Sequence, residues 1–538
     1  MTGPVARSLS ALFLAAATLS AAARQPEDLK KAKAYVAEVR KHLLESYVER
    51  EKLSGEKLDK AGLAGLAAAM DHRDYAALDE KTRVRIRGSV REARSVEAAL
   101  DAVSIVVDDG FDFLKFADHA ARAMVRETGD PYSRILTSDE FNKLLKLMQG
   151  GGREESPGLA VQAADGAVAY VQYGYPAYEE GIEIGDVVVE IDGKPVAGRA
   201  QEEINESLKL RPGTPLAVKI RRPGHAEPYV FRLEARASPV KDVRTEYLGE
   251  GIGYLRMTIF DLKLSSEVRK GLEDLKRRGM KKLILDLRHN PGGALPAATA
   301  VADLLLPQGL VITTTESNYK PNLFGIEIPG VGGDQEYKTK VRTDFEEMPL
   351  VVLIDRASAS ASELLAGALQ DHRRGKLIGR TTYGKGVGQA PIFLTSVFQK
   401  RYLYLTVMTY KLPSGRSIHH KGVVPDIDFA EEKPSPETFA RIRSLREGGR
   451  VAKYVDAAWG GHAGALRRLA KNDGFEWGRY PGFDALYESL ETRLSKDEVR
   501  AEVRRAVRRR MERTENVVWT SDLETDAQLQ RALVELLD

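Results

Sequence analysis

Two stretches of this chain repeat one grammar, a short apolar strand, a turn of small residues and then a helix. Lys282-Leu-Ile-Leu-Asp-Leu287 runs into Asn290-Pro-Gly-Gly293 and a helical pattern through Leu306. Pro349-Leu-Val-Val-Leu-Ile354 runs into a Ser/Ala segment and a helical pattern through Gln370. Strands that lack polar alternation are buried on both faces, as in a parallel sheet covered by its crossover helices. In such sheets the working groups gather at the carboxyl ends of the strands. The pattern predicts an α/β core over residues 241–430, with Thr315 to Glu347 as a Gly/Pro-interrupted surface excursion.

A chain of 538 residues exceeds one such core, so several domains are expected. Residues 26–150 read as a helical region: Tyr35, Val36, Val39, Leu43 and Leu44 recur at helical spacing, and Thr137-Ser-Asp-Glu140 opens a further helix. Gly150-Gly-Gly152 closes it as a hinge. Residues 151–240 change to short Val/Ile/Tyr-rich runs separated by turns, among them the hairpin signal Asp192-Gly193 and the turns Pro212-Gly213 and Pro223-Gly224. That is a small β domain. Residues 431–538 are helical and highly charged; the basic helix Lys496 to Arg513 reads as a solvated face opposite the stripe Val499, Val503 and Val507.

Composition removes several classes of function. With no cysteine, disulfide scaffolds, zinc–thiolate sites, iron–sulfur clusters and cysteine nucleophiles are excluded. Lys plus Arg numbers 81 against 78 for Asp plus Glu, so the global charge gives no reason to expect nucleic acid as a partner. Residues 1–23 read as a signal peptide: Arg7, an apolar run from Ala11 to Ala17, then Ala21-Ala22-Ala23. The expected location is outside the cytoplasm, in the periplasm, cell envelope or medium.

Chemistry is expected at the two turns. Gly292 and Gly293 bare backbone N–H groups beside a helix N-terminus, which suits a developing negative charge, although a tight turn alone also asks for glycine. A serine on a strand-to-helix elbow is pushed into the cleft, as Ser360 is placed to be; Ser360-x-x-Glu363 is equally a helix capping box. Gly379 to Lys385 has P-loop spacing, but Gly386 stands where a Ser or Thr would bind magnesium, and nucleotide binding is rejected. Lys385 and Gln389 are expected instead on one face of a strand, with the amide holding the amine. A serine needs a base. Lysine serves if burial lowers its pKa from about 10.4 by several units. Histidine is the usual alternative, with His289 in the glycine turn and His419-His420 in a later loop, and spacing leaves it open. The histidine pair as a metal site lacks any HExxH or carboxylate cluster beside it.

Taken in order, these segments resemble the carboxyl-terminal processing peptidases, a serine protease family with a Ser–Lys catalytic pair and an embedded PDZ domain. The matching pieces are Asp130-Pro-Tyr-Ser133, Gly158-Leu-Ala-Val161, Tyr175-Pro-Ala-Tyr178 through Gly193, Asp286 to Gly293, Ser358 to Glu363, Gly384-Lys-Gly386, Pro413 to Ser417 and Gly422 to Ile427. The resemblance implies a crotonase/Clp-protease-like α/β peptidase core, a PDZ-like β domain and helical N- and C-terminal regions. It implies Ser360 as nucleophile, Lys385 as general base and Gln389 as the lysine-positioning amide. The oxyanion hole would use the amide of Ala361 and one from Gly292 or Gly293, with Glu363 in support. Gly158, Leu159, Ala160 and Val161 would receive the substrate's C-terminus. The expected partners are proteins or peptides with free C-termini, with no metal or organic cofactor implied; helical ends of this kind form dimers in some relatives. The competing expectation is an inactive PDZ-bearing scaffold of the same fold.

Overall fold

The computed structural model describes residues 27–151, 156–211, 214–235, 241–316, 322–323, 326–327, 335–340, 343–398 and 400–537. The expected signal peptide, most of the excursion between Asn322 and Gly333, and the turn Pro212-Gly213 lie outside them, as does Gly152 of the expected hinge. The chain forms two compact units.

The first unit holds residues up to 145 together with 313–335 and 387–410. Helices Glu27–Ser46, Gly55–Ala69, Glu80–Glu92, Val96–Ser104 and Phe113–Arg126 build its core. Four of them start on a side-chain cap: Ser54, Asp79, Ser95 and Asp112 accept the N–H of Lys57, Thr82, Ala98 and Lys115. Such caps satisfy amides that a helix start leaves without partners. The stripe Tyr35, Val36, Val39 and Leu43 is fully buried. Onto it packs an antiparallel pair, Val387–Phe393 with Arg401–Lys411, through Ile392, Leu394, Leu403, Leu405 and Val407. This hairpin falls inside the span 241–430 expected for the peptidase core, yet it clusters with the N-terminal helices. Its inward residues are apolar and complete the helical core, a long-range pairing that no local pattern reveals.

The second unit contains the six-stranded sheet. Its order is Ile427–Asp428, Lys376–Gly379, Leu350–Ile354, Lys282–Asp286, Ile252–Met257 and Val243–Gly249. Every pairing is parallel except the last. The helices Leu295–Leu305 and Ala361–Asp371 follow the two central strands, as the grammar of the sequence predicts. Alternate strand residues (Ile252, Tyr254, Ile284, Val351, Leu353, Ile378) are covered by Leu529, Ala532 and Leu536 of the last helix, Ala527–Leu537. That helix therefore belongs to the core although it lies in the C-terminal region.

Residues 158–233 form the β domain, with strands Leu159–Val161, Val168–Val171, Val187–Ile191, Lys194–Pro195, Leu216–Arg221 and Tyr229–Leu233 around their own core. Asp192 and Gly193 both have positive φ, 48° and 73°, the geometry of a two-residue hairpin turn. The charged C-terminal helices pack around Val455, Leu469, Phe483, Val499, Val503 and Val507. The basic helix, here Lys496–Glu515, is not a solvated face. Arg500 and Arg504 are buried against Asp473 and Asp522, and Arg505 and Arg509 bind Glu180 of the β domain. Their carboxylate partners lie far away in sequence, which is why charge counting along the helix misjudges it.

Candidate active site

Two turns meet at the carboxyl ends of neighbouring parallel strands, and buried polar groups lock them together. Asn290, at the first turn, is fully buried. Its Nδ2 donates to Met257 O (3.0 Å) and its Oδ1 accepts Gly292 N–H (2.9 Å). Its carbonyl accepts Ala359 N–H (3.0 Å) and the Ser362 hydroxyl (2.9 Å) of the second turn. Asp355, where the second strand ends, accepts the N–H groups of His289, Ala357 and Ser358.

The three serines of the second turn are thereby sorted. Ser358 is buried and its hydroxyl donates to Leu287 O (2.8 Å); Ser362 is buried and bound to Asn290. Ser360 sits at φ 55°, ψ −117°, a conformation that costs a non-glycine residue on the order of 1–3 kcal/mol and persists only when its surroundings impose it. Behind it stands Gly292, itself at φ 93°; a Cβ there would lie 2.6 Å from Ala359 O, 2.7 Å from Ala361 N and 2.8 Å from Ser360 Cβ. Only glycine lets the two turns approach so closely.

Two amides point away from the internal hydrogen bonds. Gly292 N–H is taken by Asn290, whereas neither Gly293 N–H nor Ala361 N–H has an acceptor among the described residues. Gly293 is fixed by its neighbours: Phe260 N–H donates to Gly292 O (2.8 Å) and Ala294 N–H to Phe260 O (2.7 Å). With the Ala361–Asp371 helix dipole behind them, these amides suit an oxyanion.

Glu363 ties this turn to the segment carrying Lys385. It is fully buried and accepts four donors: Ser360 N–H (2.7 Å), the Thr382 hydroxyl (2.5 Å), Gly384 N–H (2.6 Å) and Lys385 N–H (2.8 Å). Burial pushes its carboxyl above the usual range, opposed by those four donors. Lys385 precedes the strand, which begins at Val387, and a bulge at Gly388/Gln389 breaks the alternation. The strand expected to carry Lys385 thus begins two residues after it. A glycine-flanked lysine followed by a bulge reads locally like a regular strand. Gln389 lies in the first unit, where its Nε2 donates to the Thr406 hydroxyl (3.0 Å), which in turn donates to Asp130 (2.5 Å).

A family model described as Peptidase family S41 matches residues 251–429, and a PDZ domain model matches residues 168–222. The carboxy-terminal-processing protease of Bartonella bacilliformis is 32% identical over 336 residues, covering 61% of this chain and 72% of that protein. The carboxyl-terminal-processing protease of a Picosynechococcus species is 31% identical over 323 residues, covering 58% and 73%. A solved photosystem II D1 C-terminal processing protease superposes with a TM-score of 0.49 at 25% identity, over 72% of this chain and 95% of that one. The chain belongs to the C-terminal processing serine protease family. It is a serine-type peptidase of the S41 fold with a PDZ domain, and it acts on proteins or peptides.

Within this C-terminal processing protease the histidines are engaged elsewhere or lie on a neighbouring loop. His289 Nε2 stands 3.1 Å from Asp355 and its Nδ1 3.1 Å from Val171 O of the PDZ domain, so both ring nitrogens face acceptors. Tyr170 Oη of the same PDZ strand donates to His289 O (2.6 Å). His420 N–H donates to Gly384 O (2.8 Å), which places the histidine pair on the loop beside Lys385. No third ligand joins that pair among the described residues. At the PDZ entry, Gly158 has φ 70°, and a Cβ there would lie 2.2 Å from Tyr175 Cβ. Among the described residues Leu159–Val161 pairs with one strand, Val168–Val171, and Val161 O accepts Gln201 Nε2 (2.8 Å). Sequence reasoning overlooked Asn290, Asp355 and Thr382, whose contribution is to hold backbone. Asn290 inside the glycine turn and Asp355 at a strand's end were the available signals.

Proposed function

We propose that this protein is an exported endopeptidase that cuts protein substrates near their C-termini by a Ser–Lys mechanism. Ser360 Oγ attacks the scissile carbonyl and the neutral Lys385 amine takes its proton. The tetrahedral oxyanion rests on Ala361 N–H and Gly293 N–H, and Lys385 returns the proton to the leaving amine. Water then hydrolyses the acyl-enzyme. The observation that carries this reading is Ser360 held at a strained elbow between two open amides, with Glu363 binding both the elbow and the backbone of Lys385. Residues 1–23 support export.

The PDZ domain selects the substrate by adding its C-terminal segment to the open edge of Leu159–Val161, with backbone N–H groups near Gly158 taking the carboxylate. Two measurements test the proposal. Lys385→Arg is expected to be inactive, because guanidinium keeps its proton at working pH; an active variant would return the role of base to histidine. In Ser360→Ala protein, free-acid peptides with apolar ends are expected to bind more tightly than their amides, since the charge strengthens those hydrogen bonds. Equal affinities would remove C-terminal reading from the proposal.

A further inference from the structure

Three ligand-type side chains converge in the first unit. His72 stands just before the short 3-10 turn Arg73–Tyr75, Asp74 lies within that turn, and His119 belongs to the helix Phe113–Arg126. Their ligand atoms all lie within 4.8 Å of one another, the one such group of three among the described residues. The chain has nine histidines and no cysteine, so nitrogen and oxygen are the donors it can offer a transition ion.

The contacts inside the group do not close by themselves. Lys115 Nζ takes Asp74 Oδ1 at 3.0 Å, which leaves Oδ2 facing the imidazoles. His72 Nδ1 lies 3.2 Å from Oδ2, and His119 Nε2 lies 3.9 Å from it. Yet His72 Nδ1 also accepts Asp74 N–H, at 3.3 Å. A nitrogen that accepts this N–H turns a lone pair, not a proton, towards the carboxylate oxygen. If it were protonated to serve the carboxylate, Asp74 N–H would lose its acceptor. A cation between Nδ1, Nε2 and Oδ2 would bring the three acceptors together and take the Nδ1 lone pair from Asp74 N–H, whose 3.3 Å bond is a long one at an exposed turn. Zinc bonds of about 2.0–2.2 Å to nitrogen and oxygen set ligand atoms about 3.3 Å apart around a tetrahedron; the Nδ1–Oδ2 pair at 3.2 Å already matches this, and the Nε2–Oδ2 pair at 3.9 Å closes on it by a small rotation of the His119 ring.

We propose that His72, Asp74 and His119 form a zinc site, holding one ion through two imidazole nitrogens and Asp74 Oδ2, with water in the fourth position. Imidazole with a carboxylate favours zinc over magnesium or calcium, which prefer all-oxygen shells. The three ligands come from a loop turn and a separate helix, so the ion fastens the 72–75 segment onto the helical core. The inference is independent of the peptidase reading.

The test is equilibrium dialysis of the full chain against zinc chloride in excess magnesium and calcium, with His72→Ala, Asp74→Asn and His119→Gln compared by the same assay. One zinc per chain is expected for the parent protein. Loss of a supporting partner of a metal ligand already costs roughly 10–100-fold in affinity, so loss of a ligand should cost no less. His72 is partly exposed and Asp74→Asn keeps its shape, so two of the variants leave the fold undisturbed, which circular dichroism checks. Absorption at the zinc edge should show imidazole in the first shell. Zinc absent from the parent, retained equally by all three variants, or bound without imidazole would overturn the proposal.

Discussion

Gly292 and Glu363 show how much of the proposed catalytic geometry rests on groups that take no part in bond making. A methyl group at position 292 would press on Ala359 O and Ala361 N while forcing alanine to φ 93°. Gly292→Ala should therefore shift the Ala361 amide and, on the proposed mechanism, lower kcat about 100-fold or more, the effect of losing one oxyanion donor, with a smaller change in KM. Steady-state kinetics on a peptide substrate measures it. Glu363 uses both oxygens, each for two donors, so Glu363→Gln turns an amide NH2 towards a pair of donors and leaves them unsatisfied. Each unsatisfied buried group costs about 1–3 kcal/mol. Urea denaturation should show a loss of at least about that size, accompanied by loss of activity as Ser360 and Lys385 lose their common anchor.

Among the elements, the helix Lys496–Glu515 is the clearest case of a segment whose partner decides its role. Its Arg505 and Arg509 reach Glu180 at 3.2 and 2.8 Å, and Arg443 of another C-terminal helix approaches the same carboxylate at 3.4 Å. Burial alone would raise the Glu180 pKa, but Arg505, Arg509 and Arg443 outweigh it and hold the group below its ordinary 4.5. A carboxyl depressed in the folded state adds stability above its unfolded pKa and loses it as the pH falls through the folded one. Acidification below about 4.5 should therefore loosen the PDZ domain from the C-terminal helices, read as faster limited proteolysis of the PDZ domain. In Arg505→Ala/Arg509→Ala protein that acid response should flatten. Local signals explain what was legible beforehand. The strands Lys282–Asp286 and Leu350–Ile354, their turns and the Asp192-Gly193 hairpin are decided within a few residues. The arginine partners, the bulge after Gly388 and the placement of the 387–410 hairpin depend on groups brought together only by folding.

At the scale of the whole chain, the catalytic sheet is completed by its last residues. Asp526 binds Arg288, which is buried against Asp286 beside the glycine turn, across a sequence separation of 238. Gln528 Nε2 donates to Ile354 O (3.1 Å) and Ile378 O (2.9 Å), joining two parallel strands at their carboxyl ends. Leu529 and Ala532 are fully buried against one face of the sheet, whereas Val534 of the same helix is 48% exposed. These two positions separate the docking of the helix from its mere formation. Leu529→Ala should cost about 2–5 kcal/mol, the range for a buried leucine whose cavity does not collapse. Val534→Ala should stay within about 0.5 kcal/mol, as for a surface change in a helix. Because the buried face lies on strands that lead into the turns of Asn290 and Asp355, Leu529→Ala should also lower the temperature at which peptidase activity is lost, in step with unfolding. Thermal melts and activity measured on the same samples make the comparison. Equal effects of the two substitutions would mean that the last helix does not hold the catalytic sheet together.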